Sequence, residues 1–589
     1  MLKAPRIVRP LFRAVAGVLS VVSFTLTARA ETKRAATAFA DLPVVQPTTN
    51  CRALKFMGHK LSVMAGVPMQ IQSAEVVDEQ PAPYCDVKGY VSPSVGFELR
   101  LPTTRWTQRF LQLGCGALCG VVQIRPPIGT AIVLQQNTLF QRGELALAAT
   151  DTGHCTGNFF DGTWAAADPQ LRIDFAYRGV HVTAVAATAL MQAYYGQKPR
   201  YSYFSGCSEG GREAAMESQR YPEDFNGILA GCPSINILTQ ITLYHAWNSR
   251  SNSDANGHLI LTADKLPILH AAALAACDAQ DGLKDGLISE PESCHFDPVV
   301  TQCQAGQDPA TCLTPAQVHA AQLIYQGAHD EKGQPLVVTG PLPGSELQWN
   351  EYVTMAPGAA ETVSTLLATF ASKYLAFPEN RPLEYTLADF RFDGSTFRGL
   401  AAMHAIYDAL DPDLSHFAAA GDKIIFWHGW ADGSIPPVNT IAYYNAVQKQ
   451  MGADRTKQFA LLYLFPGGYH CNRVAPIVCD LLSAIMGWVE EGVVPNRLLS
   501  WYFAPGTVQL GAPADISKAV RTRPVYPYPQ AARYSGKGSI DDARNFEAGM
   551  PRTTEPPINW IGATTFFKPD YEQWCGWSGL SFTCGPGRK

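Results

Sequence analysis

Ser208, Asp432 and His470 are three residues whose types and order along the chain could do chemistry together. Ser208 lies in Gly206-Cys207-Ser208-Glu209-Gly210, which fits G-x-S-x-G. A serine hydroxyl is a weak nucleophile. It needs a base within hydrogen-bond reach, and the base needs an acid to orient it. Where the serine stands on a sharp strand-to-helix turn, its partners follow in the order acid, then histidine. Asp432, in Gly429-Trp430-Ala431-Asp432-Gly433, is the acid in that order, and His470, in Pro466-Gly467-Gly468-Tyr469-His470, is the base. His154 and His428 are rivals for the base. His154 precedes the serine and His428 falls on a predicted strand, so both are read as supporting residues. The chemistry is acyl transfer, with a negative oxygen to stabilise. One donor is the backbone N–H of Glu209, the residue after the nucleophile. The second is expected in the small-residue loop Gly114-Cys115-Gly116-Ala117-Leu118-Cys119-Gly120, with Cys115 as the choice and Gly114 or Gly116 as neighbours.

These residues need a scaffold that turns sharply at each of them. The run 201–205 is rich in aromatics and reads as a strand; 211–220 reads as a helix start. A serine between the two, with glycine two residues away on each side, is a nucleophile elbow, an ordinary glycine-rich turn being the alternative. Further strands are expected at 109–113, 144–151, 227–231, 423–428 and 459–465, and helical periodicity over 175–195. Strands alternating with helices give a parallel α/β sheet. Asp432 and His470 then fall in loops after strands, where such a sheet gathers its site. Residues 51–101 read as an antiparallel hairpin region. From about 233 to 420 the alternation stops, leaving helix-like pieces at 262–277, 314–325 and 362–374. This stretch reads as an insertion between two strands, either a lid or a stabilising addition. The catalytic domain is thus expected in two parts, 31–232 and 421–589.

Cys207 directly precedes Ser208, and Cys471 directly follows His470. If the serine and the histidine hydrogen-bond, their neighbours come within disulfide range, so a Cys207–Cys471 bridge is expected; two independent buried cysteines are the alternative. A second site is suggested by Cys277-Asp278-Ala279-Gln280-Asp281-Gly282-Leu283-Lys284-Asp285-Gly286-Leu287. Three carboxylates at +3 and +4 spacing suit a hard cation bound by oxygens, and the carbonyls of Leu283 and Leu287 can complete the set. The loop lacks the EF-hand spacing, and an acidic surface loop is the alternative.

At 47% hydrophobic and 16% charged, the 589-residue chain has a globular composition with material for a large core. Lys3, Arg6, Arg9 and Arg13 form a basic start, 14–28 is apolar, and Ala28-Arg29-Ala30 supplies a cleavage site, so residues 1–30 read as a signal peptide. The apolar run is too short for a membrane span. Removing five basic residues and no acids takes the formal charge from -5 to -10. So acidic a chain, without a long basic run, argues against nucleic acid as a partner. The 15 cysteines all follow residue 30. Export to the periplasm or outside the cell makes disulfides natural, and the odd number leaves at least one unpaired unless it bridges two chains. A monomer is expected, with no membrane partner.

The residues Gly206 to Glu213 (GCSEGGRE), Asp432 in Gly429-Trp430-Ala431-Asp432 and the pair His470-Cys471 resemble the tannase and feruloyl esterase family. The tail Arg523-Pro524-Val525-Tyr526-Pro527-Tyr528-Pro529-Gln530 resembles its C-terminal signature. The resemblance implies an α/β-hydrolase fold with a large inserted lid and a small aromatic ester as substrate. It also implies a calcium ion (Ca2+) held by Asp278, Asp281, Leu283, Asp285 and Leu287. Disulfides Cys51–Cys85, Cys277–Cys294 and Cys303–Cys312 and an acyl pocket lined by Phe370 follow from it as well. Two departures stand out. Val525 occupies a position where close relatives carry a cysteine, so Cys575 and Cys584 are candidates to pair locally. No arginine lies just upstream of Phe370, where the terephthalate-ester enzyme of the family grips a free carboxylate. A non-catalytic binding protein on the same fold is the competing reading.

Overall fold

The computed structural model describes residues 39–124, 133–355, 360–472, 477–508, 513–551, 558–578 and 581–586. The expected signal peptide, 1–30, lies outside the described residues.

Nine strands form one mixed sheet. In chain order they are β1 (Met69–Val77), β2 (Tyr84–Val91), β3 (Val95–Pro102), β4 (Arg109–Leu113), β5 (Ala146–Thr150), β6 (Tyr201–Cys207), β7 (Gly227–Gly231), β8 (Lys423–Gly429) and β9 (Ala460–Phe465). Their order across the sheet is β1-β2-β3-β5-β4-β6-β7-β8-β9. The first three strands and β5 pair antiparallel, as expected for 51–101; from β5 to β9 every pair is parallel. The residue patterns explain the difference. β3 alternates buried and half-buried positions, as a sheet with one wet face does. β4, β7 and β9 are buried at every position, as strands covered on both faces must be. Successive side chains then enter opposite layers. Phe110, Phe204, Ile228, Phe426 and Leu462 pack in one, and Leu111, Tyr203, Leu229, Trp427 and Tyr463 in the other.

Helix α1 (Gly179–Tyr195) and helix α2 (Glu209–Arg220) follow β5 and β6. The helical periodicity expected from 175 begins as a separate wider turn over Asp174–Arg178. α1 ends at Gly196, whose φ of +81° is open to glycine at no steric cost. The segment between β7 and β8 adds no strand to the sheet among the described residues. It carries helices α3 (Leu266–Cys277), α4 (Pro315–Gln326) and α5 (Val363–Phe370). α4 starts in a capping box, with Thr314 and Gln317 each satisfying the other's backbone amide. The tail, which shows little periodicity, nonetheless forms two hairpins, Ala531–Tyr534 with Phe546–Gly549 and Gln573–Ser578 with Ser581–Pro586.

Six disulfides and three free thiols account for all 15 cysteines. The bridges are Cys51–Cys85, Cys115–Cys119, Cys207–Cys471, Cys277–Cys294, Cys303–Cys312 and Cys575–Cys584. Cys155 is free and exposed; Cys232 and Cys479 are free and buried. No described helix is long and apolar enough to cross a membrane.

Candidate active site

The elbow is built from close approaches. Ser208 has φ +67° and ψ −118°, a backbone state that a non-glycine residue adopts only when its surroundings impose it. The surroundings are glycines: a Cβ at Gly206 would stand 2.3 Å from the Gly210 carbonyl oxygen, and one at Gly211 would stand 2.2 Å from that of Gly231. The Ser208 N–H donates to the Gly231 carbonyl at 2.9 Å, and the N–H groups of Gly211 and Arg212 donate back to the Ser208 carbonyl. Below the elbow, the buried Glu209 carboxylate is gripped by Arg212, whose remaining donors reach the carbonyls of Phe175, Ala176 and Tyr407. This fixes the start of α2 against two neighbouring segments. The amide of Glu209 belongs to the helix's first turn, so no intrahelical acceptor exists for it.

The acid and the base meet across the ends of β8 and β9. Asp432 is fully buried, and its Oδ2 lies 2.7 Å from Nδ1 of His470. The same oxygen lies 3.0 Å from Nε2 of His428, while Oδ1 accepts the N–H groups of Ser434 and Ile435 at 2.9 and 2.8 Å. Burial pushes the Asp432 carboxyl up, but the two imidazoles and these bonds overcome it and hold the group well below its ordinary value. Asp432 is therefore an anion at neutral pH. With Nδ1 of His470 turned to Asp432, Nε2 is left to act on a hydroxyl. The Cys207–Cys471 bridge brings the neighbours of Ser208 and His470 to a Cα separation of 6.1 Å. His245 lies close to this centre; burial first, and the His470 charge second, pull it down to about 3, so it stays neutral.

The second oxyanion donor differs from the expectation. The Cys115 N–H is engaged by Oε2 of Glu213 at 3.0 Å, and Cys115 is bridged to Cys119. That amide points at a buried carboxyl and is unavailable to a substrate. Its carbonyl is also used, accepting the Gly210 N–H at 2.9 Å. Next to it, the space where a Cβ on Gly116 would stand has nothing within 4 Å. Glu213 itself is pushed up to about 8 by burial and by the nearby Glu209, so it is a neutral acid at pH 7.

The supporting histidines are both accounted for. His428 orients Asp432, with its Nδ1 against Thr440 at 2.9 Å. His154 packs flat on Trp164, its ring 3.9 Å away, and faces the Leu118 carbonyl at 2.8 Å. It therefore supports the loop 114–120. Phe370 ends α5 half-buried; a Cβ on Gly162 would lie 3.0 Å from the Phe370 Cβ and 3.2 Å from Leu118 Cδ1. Phe370 thus packs near the same loop.

Asp278, Asp281, Leu283, Asp285 and Leu287 share one turn after α3. Both oxygens of Asp278 accept backbone amides, from Asp285 and Gly286 at 3.0 Å each, and Asp281 accepts from Leu283. Asp285 pairs with Arg523 of the tail signature and lies 3.5 Å from Arg521. Burial nevertheless leaves Asp281 and Asp285 raised, a cost that a bound cation would offset. Carboxylate and carbonyl oxygens are the donor type a hard cation takes, although among the described residues these three carboxylates do not form a group with oxygens within 4.8 Å of one another. Beside this turn lies a cavity of about 60 Å³, lined by Asp285, Arg523, Tyr526 and, from the acid loop, Trp430. On the other side, a Cβ at Gly467 in the base loop would meet Leu287 at 2.5 Å.

Four residues beside the site stand outside the motifs of the sequence: Cys232, whose sulfur faces the Cys471 N–H at 3.4 Å, His245, Gln348, which accepts the His470 N–H, and Tyr352, whose ring meets that of His470. Cys232 carried a usable signal, because it directly follows β7 at the strand end that faces the site. The others are set by contacts between distant segments.

A parallel sheet with a strained serine after β6, an acid after β8 and a histidine after β9 defines the α/β-hydrolase class. The chain belongs to the tannase and feruloyl esterase family, whose pattern matches residues 74–548. It is 31% identical over 80% of its length to an uncharacterized esterase of Xanthomonas campestris, covering 85% of that relative. It is 30% identical over 80% of its length to the mono(2-hydroxyethyl) terephthalate hydrolase of Piscinibacter sakaiensis, covering 85% of that protein. The crystal structure of feruloyl esterase B from Aspergillus oryzae has the same fold, with a TM-score of 0.68 over 82% of this chain and 97% of that one, at 24% identity. The protein is a carboxylic ester hydrolase of the tannase and feruloyl esterase type.

Proposed function

We propose that the chain is an exported serine esterase that cleaves small esters of aromatic acids through Ser208, His470 and Asp432. The observation that carries this reading is the 2.7 Å contact of His470 Nδ1 with Asp432, stapled by Cys207–Cys471 to the strained elbow of Ser208. Ser208 Oγ attacks the ester carbonyl carbon while His470 Nε2 takes its proton. Asp432 stabilises the imidazolium. The amide of Glu209, and that of Gly116, hold the oxyanion. Collapse breaks the bond to the alcohol, which leaves with the proton from His470. Water then repeats the sequence on the acyl-enzyme and frees the acid.

Aromatic acids are the favoured acyl group because relatives and structural neighbours are named for feruloyl, terephthalate and tannin esters. Phe370 is the candidate wall for the ring. The six bridges support an oxidising location outside the cytoplasm. Residues 233–420 serve as the lid, and Asp278, Asp281 and Asp285 with the carbonyls of Leu283 and Leu287 hold Ca2+. The test is a panel of methyl gallate, methyl ferulate, chlorogenic acid and mono(2-hydroxyethyl) terephthalate, ranked by kcat/KM, run beside Ser208→Ala. Turnover of at least one ester, lost in Ser208→Ala with little change in Tm, is expected. Failure on all four, or an active Ser208→Ala protein, overturns the reading.

A further inference from the structure

The loops that carry Asp432 and His470 come from different strands, and their relative position sets the acid–base contact. They touch each other directly through the Ala431 N–H and the Gly468 carbonyl at 2.8 Å. A third party joins them. The side-chain oxygen of Gln348 accepts the backbone N–H of His470 at 3.0 Å and that of Gly433 at 2.9 Å. Gln348 belongs to neither loop. It lies 85 residues before Gly433, in the segment between β7 and β8, and it is fully buried.

We propose that Gln348 is a positioning residue through which this segment sets the geometry of Asp432 and His470. The inference rests on the serine-esterase reading above. Both bonds require an acceptor, and a side-chain amide has one accepting atom, so the two N–H groups fix which way the amide faces. The carbonyl oxygen uses both of its lone pairs. Among the described residues the Nε2 group is buried without a hydrogen-bond partner, so the residue is held for what its oxygen does.

The base beneath Gln348 is stiff. Glu346, two residues earlier, accepts from Tyr325 at 2.6 Å and from the Gly344 amide at 2.7 Å, and its other oxygen meets His270 at 2.7 Å. Trp349, the next residue, is fully buried and donates to Ser345 at 3.1 Å. A Cβ added at Gly433 would stand 3.1 Å from the Trp349 ring, so glycine is what lets the acid loop lie against it. One turn on, the Tyr352 ring meets His470 edge-on at 6.0 Å between centroids. Residues 345–352 therefore touch the acid loop at Gly433 and the base loop at His470. This part of the insertion is a brace of the catalytic centre, distinct from any cover it forms over the substrate.

The physical consequence is specific. Without the Gln348 oxygen, two buried amides lose their acceptor, and the two loops can separate by a fraction of an ångström. A displacement of that kind lowers the chemical step far more than it lowers substrate binding. The experiment compares the wild-type chain with Gln348→Met, Gln348→Glu and Gln348→Asn on the best ester of the panel. Measurements are made well below the Tm of each protein. Gln348→Met, which keeps length and loses the acceptor, is expected to lose about 10²-fold in kcat with KM within about threefold. Gln348→Glu keeps a carboxyl oxygen at the same reach and is expected to recover kcat to within about tenfold of wild type. Gln348→Asn, whose acceptor is withdrawn by one methylene, is expected to lose at least about tenfold, and it decides the matter if Gln348→Met does not fold. A kcat within threefold of wild type in Gln348→Met or Gln348→Asn overturns the proposal, as does a Gln348→Glu protein no better than Gln348→Met. A wild-type chain with no turnover is a different result: it removes the esterase reading itself.

Discussion

Two buried carboxylate loops of this molecule meet the same physical problem with opposite outcomes. Asp432 and Asp285 are both shut away from water, and burial alone raises both. At Asp432, two imidazoles and two backbone amides overcome burial and the group is held low. At Asp285, Arg523 and Arg521 are present, yet the carboxyl stays raised, and Asp281 beside it does too. The difference teaches where a further charge is wanted. Every Asp432 oxygen has partners as it stands, two imidazoles on Oδ2 and two backbone amides on Oδ1. In the loop after α3 burial outweighs the neighbouring arginines and keeps Asp281 and Asp285 raised, so a cation bound there would favour their charged forms.

Asp432→Asn tests the first half of that comparison and carries the largest expected effect, a loss of about 10⁴-fold in kcat/KM. The same variant has a pH signature. A carboxyl whose folded value is depressed contributes stability above its unfolded value, about 3.9, and loses it as pH falls through the folded value. The Tm gap between wild type and Asp432→Asn is therefore expected to be widest near neutral pH, to begin narrowing below about pH 4 and to close only as pH falls through the folded value. A gap that does not narrow as pH falls below about 4 would show that the Asp432 charge does not support the fold. Removal of Ca2+ with a chelator tests the second half. A lowered Tm, by about 5 °C, that added Ca2+ restores is expected, with a smaller change in kcat. An unchanged melting curve would leave Arg523 and Arg521 as sufficient counter-charges. Glu213 sharpens the contrast with a third solution, since it is neutral at pH 7 and needs no counter-ion. Gln in its place keeps an acceptor for the Cys115 amide, so Glu213→Gln is expected to cost less than about 1 kcal/mol, and Glu213→Ala about 1–3 kcal/mol, in chemical unfolding. Equal costs would mean that the Cys115 contact is idle.

Much of the catalytic centre was legible because its signals are local. The glycines around Ser208 are demanded by backbone approaches within a few residues, and the apolar runs of β8 and β9 mark the strand ends where Asp432 and His470 fall. The Cys207–Cys471 pair is readable by the same logic, since each cysteine adjoins a residue that must meet the other's neighbour. The Cys115 expectation failed for a non-local reason. Glu213, on the next helix face, takes the amide that spacing alone had assigned to the substrate. The hairpins of the tail left little pattern to read because their short strands are exposed or half-buried apart from Phe546 and show no apolar alternation.

Order along the chain pointed to Ser208, Asp432 and His470 as candidates and to the sheet that carries them, since periodicity and turn chemistry are properties of neighbouring residues. Which side chains hold those groups in place was decided by the tertiary structure. Gln348 and His245 come to the site from outside the motifs of the sequence, and no local pattern distinguishes them from other buried polar residues; Arg212 stands beside the elbow, but its carbonyl partner Tyr407 lies 195 residues away. Their roles come from the demand that every buried N–H and every buried charge find a partner, and that demand is met only once distant segments have packed.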